Sequence, residues 1–247
     1  MHLINNFAII FRHYFLRSCR DIVSLFVFGL LPLAIISVNY FIIYNIPDVP
    51  QIAGTTSITV FMLMAFQFFC GDTIIYHLNN DFRSTVRWRL YATPIPKNTF
   101  IYAAAIASWI YSITQGMLLI LVSTLLFNVY WGNPLILVSV LLIISIMAQL
   151  VAILICLLTK TRKSASAILQ LICFGLMALS GGLFGTLGDS NFLTRYGTPI
   201  SLAHWAVLNA GPYADDMSKA ILNIIILAAM TLVLAIFVLM LGRRRAI

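Results

Sequence analysis

The sequence predicts an all-α integral membrane protein with six transmembrane helices, on three observations. Hydrophobic residues make up 62% of the chain and charged ones only 9%, with a mean hydropathy of +1.01, a balance outside that of soluble domains. Six apolar stretches, at 22–45, 56–77, 100–127, 134–158, 165–184 and 220–241, are each long enough to cross roughly 30 Å of hydrocarbon. Runs such as LILVSVLLIISIMAQLVAILICLL do not alternate polar with apolar residues, so the spans are helices and not strands of a β-barrel.

Residues 1–20 are amphipathic. On a helix, Leu3, Ile4, Phe7, Ile10, Phe11, Tyr14 and Phe15 fall mainly on one side, and Asn5, Asn6, Arg12, His13, Arg17 and Arg20 on the other. This pattern predicts a helix in the inner interface with its basic side toward anionic headgroups, the alternative being a frayed beginning of the first span. It is unlike a cleaved signal, because the arginines precede a long apolar run with no small-residue cleavage motif. In the first span, Pro32 follows Gly29 and predicts a kink, since a neighbouring helix can satisfy the freed carbonyl.

The second span carries Gln67 and Asp72, and Asp72 is almost the only intramembrane charge. It either lines a path or is capped by Thr73, Tyr76 and water. Residues 81–91 then read as one helix outside the bilayer. Asp81 sits at its favourable amino end, Arg83 and Arg87 share a face at i, i+4, and Thr93-Pro94-Ile95-Pro96 stops it before the third span. A stiff basic helix between two membrane rods can transmit a push; alternatively its arginines only anchor a loop to lipid.

Tyr130 and Trp131 lie between the third and fourth spans, where an aromatic belt is expected. Segment 185–213 is rich in glycine, and its apolar piece at 200–208 is too short to cross. Flanked by Gly and Pro, with Trp205 and Tyr213 beside it, it predicts a re-entrant or interfacial hairpin; an exposed outer loop is the alternative.

Charge sets the direction. With the N-terminus inside, all of the 15 lysines and arginines except Arg195 and Lys219 fall in inner segments, while Asp48, Asp189, Asp215 and Asp216 fall outside.

Little in the chain points to catalysis. Cys19, Cys70, Cys156 and Cys173 have no metal or redox spacing. There is no phosphate-binding loop, no His-Glu-x-x-His and no glutamate at all. His204 reads as an interfacial side chain before a catalytic base, and Ser180-Gly181-Gly182 as a bend before a nucleophile. The spans read as smooth, with Asn39, Gln67, Gln115, Gln149 and Gln170 as the larger amides, so an ion-coupled site built of buried charges is not evident. Energy is expected from elsewhere, and the substrate is expected to be amphipathic.

The order of these features, with RLYATPIPKNTF after the second span, SGGLF at the end of the fifth and TPISLAHWAV before the sixth, resembles the membrane subunit of bacterial type-2 ABC exporters, the ABC-2 permeases. The resemblance covers essentially the whole chain as a single domain, 1–247. It implies an N-terminal interfacial helix, a cytoplasmic coupling helix at 81–94 and an external re-entrant helical hairpin before the last span. Asp81, Arg83, Arg87, Trp88, Arg89, Thr93 and Pro94 would then meet a separate nucleotide-binding ATPase subunit. The chain would hold no cofactor and be no enzyme, with ATP and Mg on the partner.

The resemblance also implies a second permease subunit, identical or homologous, and a multi-pass location in the bacterial plasma membrane with both termini cytoplasmic. Nucleic acid is not among the implied partners. The first, second and fifth spans would face a path for a drug, antibiotic, antimicrobial peptide or lipid-like substrate. Asp72, Gln67, Ser180, Gly181, Gly182, Phe184, His204 and Trp205 would line or gate it. One departure is that family members carry a glutamate and a Gly-Thr pair shortly before the arginine, where this chain has Asp81, Ser84, Thr85 and Val86. The alternative function is an ion-coupled secondary transporter or channel, which transport without any ATPase would favour; a membrane-embedded enzyme or assembly factor is a third.

The charge partition makes a direct prediction. Single cysteines at Asn80 and Asp189, in a background without other reactive cysteines, are expected to respond oppositely to an impermeant thiol reagent added outside. Labelling of both from one side contradicts the six-span topology.

Overall fold

The computed structural model describes residues 2–45, 51–83, 87–88, 92–93, 95–181, 196–211 and 216–244. Among them the regular structure is helical, without strands. In chain order the helices are α1 (His2–Cys19), α2 (Ile22–Leu25), a π-helical turn (Phe26–Leu30), α3 (Leu31–Tyr44), α4 (Gln51–Phe69) and α5 (Asp72–Phe82). There follow α6 (Lys97–Phe127), α7 (Pro134–Leu158), α8 (Arg162–Leu179), α9 (Pro199–Asn209) and α10 (Met217–Arg244). Six stretches are long and apolar enough to cross a membrane: Ile22–Tyr44, Ile52–Phe82, Asn98–Phe127, Pro134–Leu158, Arg162–Leu179 and Met217–Gly242.

The second span is the axis. Of its apolar window 89% is buried, against 17% for the first and sixth spans, so the others pack around it and turn their remaining faces outward. That outward surface is apolar, with Phe41, Leu125, Leu171 and Val233 all exposed, as a chain dissolved in lipid requires.

The proline kink takes the form of a π turn. The Leu31 N–H reaches back five residues to the Phe26 carbonyl, and Pro32 sits in the first turn of α3. The wider turn makes room for the pyrrolidine ring, whose missing N–H would otherwise break the ladder. Asp21 starts the span, accepting from the Ser24 N–H at 3.4 Å and its hydroxyl at 2.9 Å.

The second span is not smooth. Gly71 N–H donates to Phe68 O at 3.1 Å and Thr73 N–H to Cys70 O at 3.2 Å, a tight turn that ends α4 and starts α5. A Cβ on Gly71 would stand 2.9 Å from the Ala148 carbonyl oxygen and 3.2 Å from the Ala152 methyl. Only glycine allows this contact with the fourth span, and the break lies at that crossing.

A polar clamp joins the second span to the third. The Ser112 hydroxyl donates to Gln67 Oε1 at 2.6 Å, and Gln67 Nε2 donates to the Ser112 carbonyl at 3.3 Å. Gly116 leaves the space, since a Cβ there would meet Gln67 Nε2 at 2.4 Å. Trp109 Nε1 donates to Ser145 Oγ at 2.9 Å and ties the third span to the fourth. Of the two belt aromatics, Tyr130 is exposed and Trp131 is tucked in, its indole N–H on Thr124 Oγ1 at 2.8 Å.

Contacts separate the bundle into two ends. At one, Gly132 lies against Gly211, Asn133 N–H donates to Ala210 O, and α9 packs on α4 and α10. At the other, α1 lies on Ala103, Ala104 and Ala107 of α6, Arg83 reaches Cys156 of α7, and Arg162 covers Tyr76 of α5. Arg17 of α1 and Arg20 just after it, Arg83 and Arg87 after α5, and Lys160 and Arg162 at the α7–α8 turn therefore share one end of the bundle.

Gly116→Leu drives a branched side chain into Gln67 and is expected to cost about 1–3 kcal/mol, read as a lower unfolding temperature in detergent. Gly29→Ala, where nothing lies within 4 Å of an added Cβ, is the control expected to change little. Equal unfolding temperatures for the two variants contradict the clamp.

Candidate functional site

Two structures occupy the basic end: a polar joint between α1 and α5, and a cavity beside it. The joint is built on Asp81. Tyr14 Oη donates to Asp81 Oδ2 at 2.5 Å and Arg17 Nη1 to Oδ1 at 3.2 Å. Ser18 Oγ lies 2.8 Å from His77 Nε2, and the Tyr14 ring stands edge-on to His77 at 5.1 Å. Burial, and next the Asp81 carboxylate, raise the pKa of the Tyr14 hydroxyl above its ordinary value and keep it a proton donor.

Two expectations are corrected here. Asp81 does not begin a separate helix but occupies the last turn of α5, committed to partners 64 and 67 residues away. Arg17 is turned inward to Asp81 and over the Tyr76 ring at 4.6 Å, while Arg12, His13 and Arg20 keep the outward positions expected of the basic face. The apolar stripe of α1 rests on the third span, with Tyr14, Ala103, Ala104 and Ala107 forming a small core of their own. Small residues on α6 let the two helices approach.

Arg83 caps α5. Its guanidinium donates to Asn79 Oδ1 at 3.2 Å and to the Cys156 carbonyl at 2.5 Å, fastening the end of the second span to the end of the fourth. Arg87 and Trp88 follow in an exposed helical turn, from which the Trp88 carbonyl accepts the Ala92 N–H at 3.0 Å, and Thr93 is exposed. Arg83 and Arg87 come together, with Lys160, around a hollow of about 460 Å³. Arg89 and Pro94 lie outside the described residues.

The larger cavity, about 1060 Å³, is walled by the end of α1 and by the first, second and fifth spans. Phe28, Phe66, Phe69, Phe174 and Met177 make its apolar part, and Asp72, Tyr76, Arg162 and Gln170 contribute polar groups. Arg162 lies over the Tyr76 ring at 4.5 Å, and the Ser166 hydroxyl donates to Asp72. A chamber with a hydrocarbon wall and charged groups suits an amphipathic molecule.

Of the other expected path residues, those among the described residues do not line it. Gln67 is buried in the clamp with Ser112. Ser180 donates to Met177 O at 2.8 Å and closes α8, and Gly181, at φ +77°, takes the left-handed position after the helix. His204 is 1% exposed, its Nε2 within 3.2 Å of Ser57 Oγ and 3.1 Å of Ser57 O, so it joins α9 to α4. Trp205 is half-buried beside the His204 ring. Gly182 and Phe184, and residues 185–195 and 212–213 of the hairpin at 185–213, lie outside the described residues. α9 is buried on nearly every face and held at its start by a Thr198–Ser201 capping box.

The contributions of Tyr14, Arg162 and Ser166 were not expected; Thr73 and Tyr76 were expected as caps of Asp72, but its hydrogen bond comes from Ser166, while both line the cavity beside it. Tyr14 sits in an otherwise aliphatic and phenylalanine stripe, and its hydroxyl was the one available signal that this face meets polar protein.

No curated protein matches the chain. The family described as ABC-2 family transporter protein matches residues 48–240, from the start of the second span through nearly all of the sixth. That match covers most of a chain with six membrane-length helices, and the protein belongs to the ABC-2 transporter family as its membrane-spanning permease.

Proposed function

We propose that this chain is the permease subunit of an ATP-driven exporter that moves an amphipathic drug, antibiotic, antimicrobial peptide or lipid-like molecule out of the cell. The observation that carries the reading is the cavity between the first, second and fifth spans, lined by phenylalanines and other apolar side chains together with charged groups. A second permease subunit would face it, and a separate ATPase would supply ATP and Mg at the basic end, which would be cytoplasmic.

The geometry supports a mechanical route. The exposed Arg87–Trp88 turn offers a cation and an aromatic ring, a pair enriched at protein contacts. A push there reaches α5 within a few residues. α5 carries α1 through Tyr14, Arg17 and Asp81, and it walls the cavity through Asp72 and Tyr76. The break at Cys70–Gly71 lets the α5 rod tilt without dragging α4. ATP-driven closure would thereby reshape the cavity with no covalent step in this chain.

Three outcomes are expected. The purified chain alone hydrolyses no ATP, and reconstituted export needs the separate ATPase; vanadate-sensitive hydrolysis by the isolated chain contradicts this. Arg89→Glu is expected to weaken ATPase association in a pull-down, since a reversed charge at an interface can cost several kcal/mol. Asp81→Asn leaves that association intact but lowers export per ATP hydrolysed, because the joint loses charge-assisted bonds worth about 1.5–3 kcal/mol each. Loss of association in Asp81→Asn would return Asp81 to a docking role.

A further inference from the structure

Asp72 has more to do than the mechanical route uses. The break at Cys70–Gly71 sets it in the first turn of α5 and on the cavity wall. The Ser166 hydroxyl donates to one carboxylate oxygen, and among the described residues Asp72 has no ion pair: the salt bridges there are Arg17–Asp81 and Lys219–Asp216. A carboxylate held in place without a counter-cation, inside a membrane-length helix, is costly unless something positive comes to it.

A second, independent feature points the same way. Thr73 also lines the cavity; it is 4% exposed, and its Oγ1 has no hydrogen-bond partner. A buried hydroxyl oxygen left unmatched costs free energy that a donor in the cavity would recover. The nearby cations are occupied or at the rim. Arg17 is held by Asp81 and Tyr76, Arg162 lies over Tyr76, and Arg20 and His13 are exposed to screening solvent at the end of α1. Phe66, Phe69 and Phe174 line the same cavity, and their faces accept both hydrocarbon and a positive group.

We infer that Asp72, with the Thr73 hydroxyl beside it, receives the ammonium group of a cationic amphipathic substrate whose hydrocarbon part lies along the phenylalanines. The inference rests on the reading of the cavity as the substrate site and adds the sign of the substrate's charge. Asp72 is its specificity residue, and Ser166 positions the carboxylate.

The test is equilibrium binding to the full chain in phosphatidylcholine nanodiscs, without ATPase. Three fluorescent probes of one chain length are compared: mono-dansylated 1,12-diaminododecane, which keeps one free ammonium group, its N-acetyl derivative, and the counterpart with a sulfonate in place of the ammonium. Saturable binding is counted above that of protein-free nanodiscs. The ammonium probe is expected to bind about tenfold more tightly than the acetylated one, the scale of one charge pair at a half-buried site. Asp72→Asn is expected to remove that preference and Asp72→Glu to retain most of it. Thr73→Val weakens the ammonium probe alone, and Phe174→Ala weakens all three alike. Equal binding of ammonium and acetylated probes by the native chain, tightest binding of the sulfonate, or a preference that survives in Asp72→Asn overturns the ammonium site. Saturable binding without charge preference leaves the cavity reading standing, whereas no saturable binding of any probe overturns both.

Discussion

Gly71 touches the fourth span so closely that any side chain there would stand 2.9 Å from the Ala148 carbonyl oxygen, and the second span is organised around that approach. In lipid there is no hydrophobic force between helices, so close backbone contact and polar clamps must hold the bundle. The second span has both: Gly71 against Ala148, and Gln67 against Ser112 across the space that Gly116 leaves. Because it is held from several sides, it can be broken at Cys70–Gly71 without losing its place. The break in turn sets Asp72 on the cavity wall.

On one side of the break, α4 is tied to α9 by His204 and Ser57. On the other, α5 belongs to the basic end, tied to α1 by Asp81 and to α7 by Arg83. One span thus joins a half held to α9 to a half that ends at the exposed Arg87–Trp88 turn. The cavity lies where the halves meet, with Phe66 and Phe69 from one and Asp72 and Tyr76 from the other. A chamber walled by both sides of a break changes shape when either side moves, so on the proposed route substrate contact and mechanical input would converge on a few residues.

The spans were legible because bilayer thickness imposes a length on any apolar run, and no tertiary contact can override it. The order of RLYATPIPKNTF, SGGLF and TPISLAHWAV made the family legible as well. Asp81 was not, because its spacing to Arg83 and Arg87 suggested a new helix while its partners, Tyr14 and Arg17, lie more than sixty positions earlier. Gln67 and His204 were expected on the path only through the resemblance; in the structure each bonds to a neighbouring helix. The break at Cys70–Gly71 was hidden because a lone glycine in a span reads equally as a contact or a filler. Only the distance to Ala148 decides.

The rod model depends on α1 and α5 moving as one body relative to α8. Spin labels at the exposed Cys19 and at Leu171 of α8, with the buried Cys70, Cys156 and Cys173 replaced by alanine, report that movement by pulsed electron resonance. A second pair, at Cys19 and Asn80, reports the integrity of the body itself. Between the nucleotide-free and vanadate-trapped complexes, the Cys19–Leu171 distance should change while the Cys19–Asn80 distance stays constant. A fixed Cys19–Leu171 distance during ATP turnover, or a Cys19–Asn80 distance that shifts with it, would contradict transmission through α5.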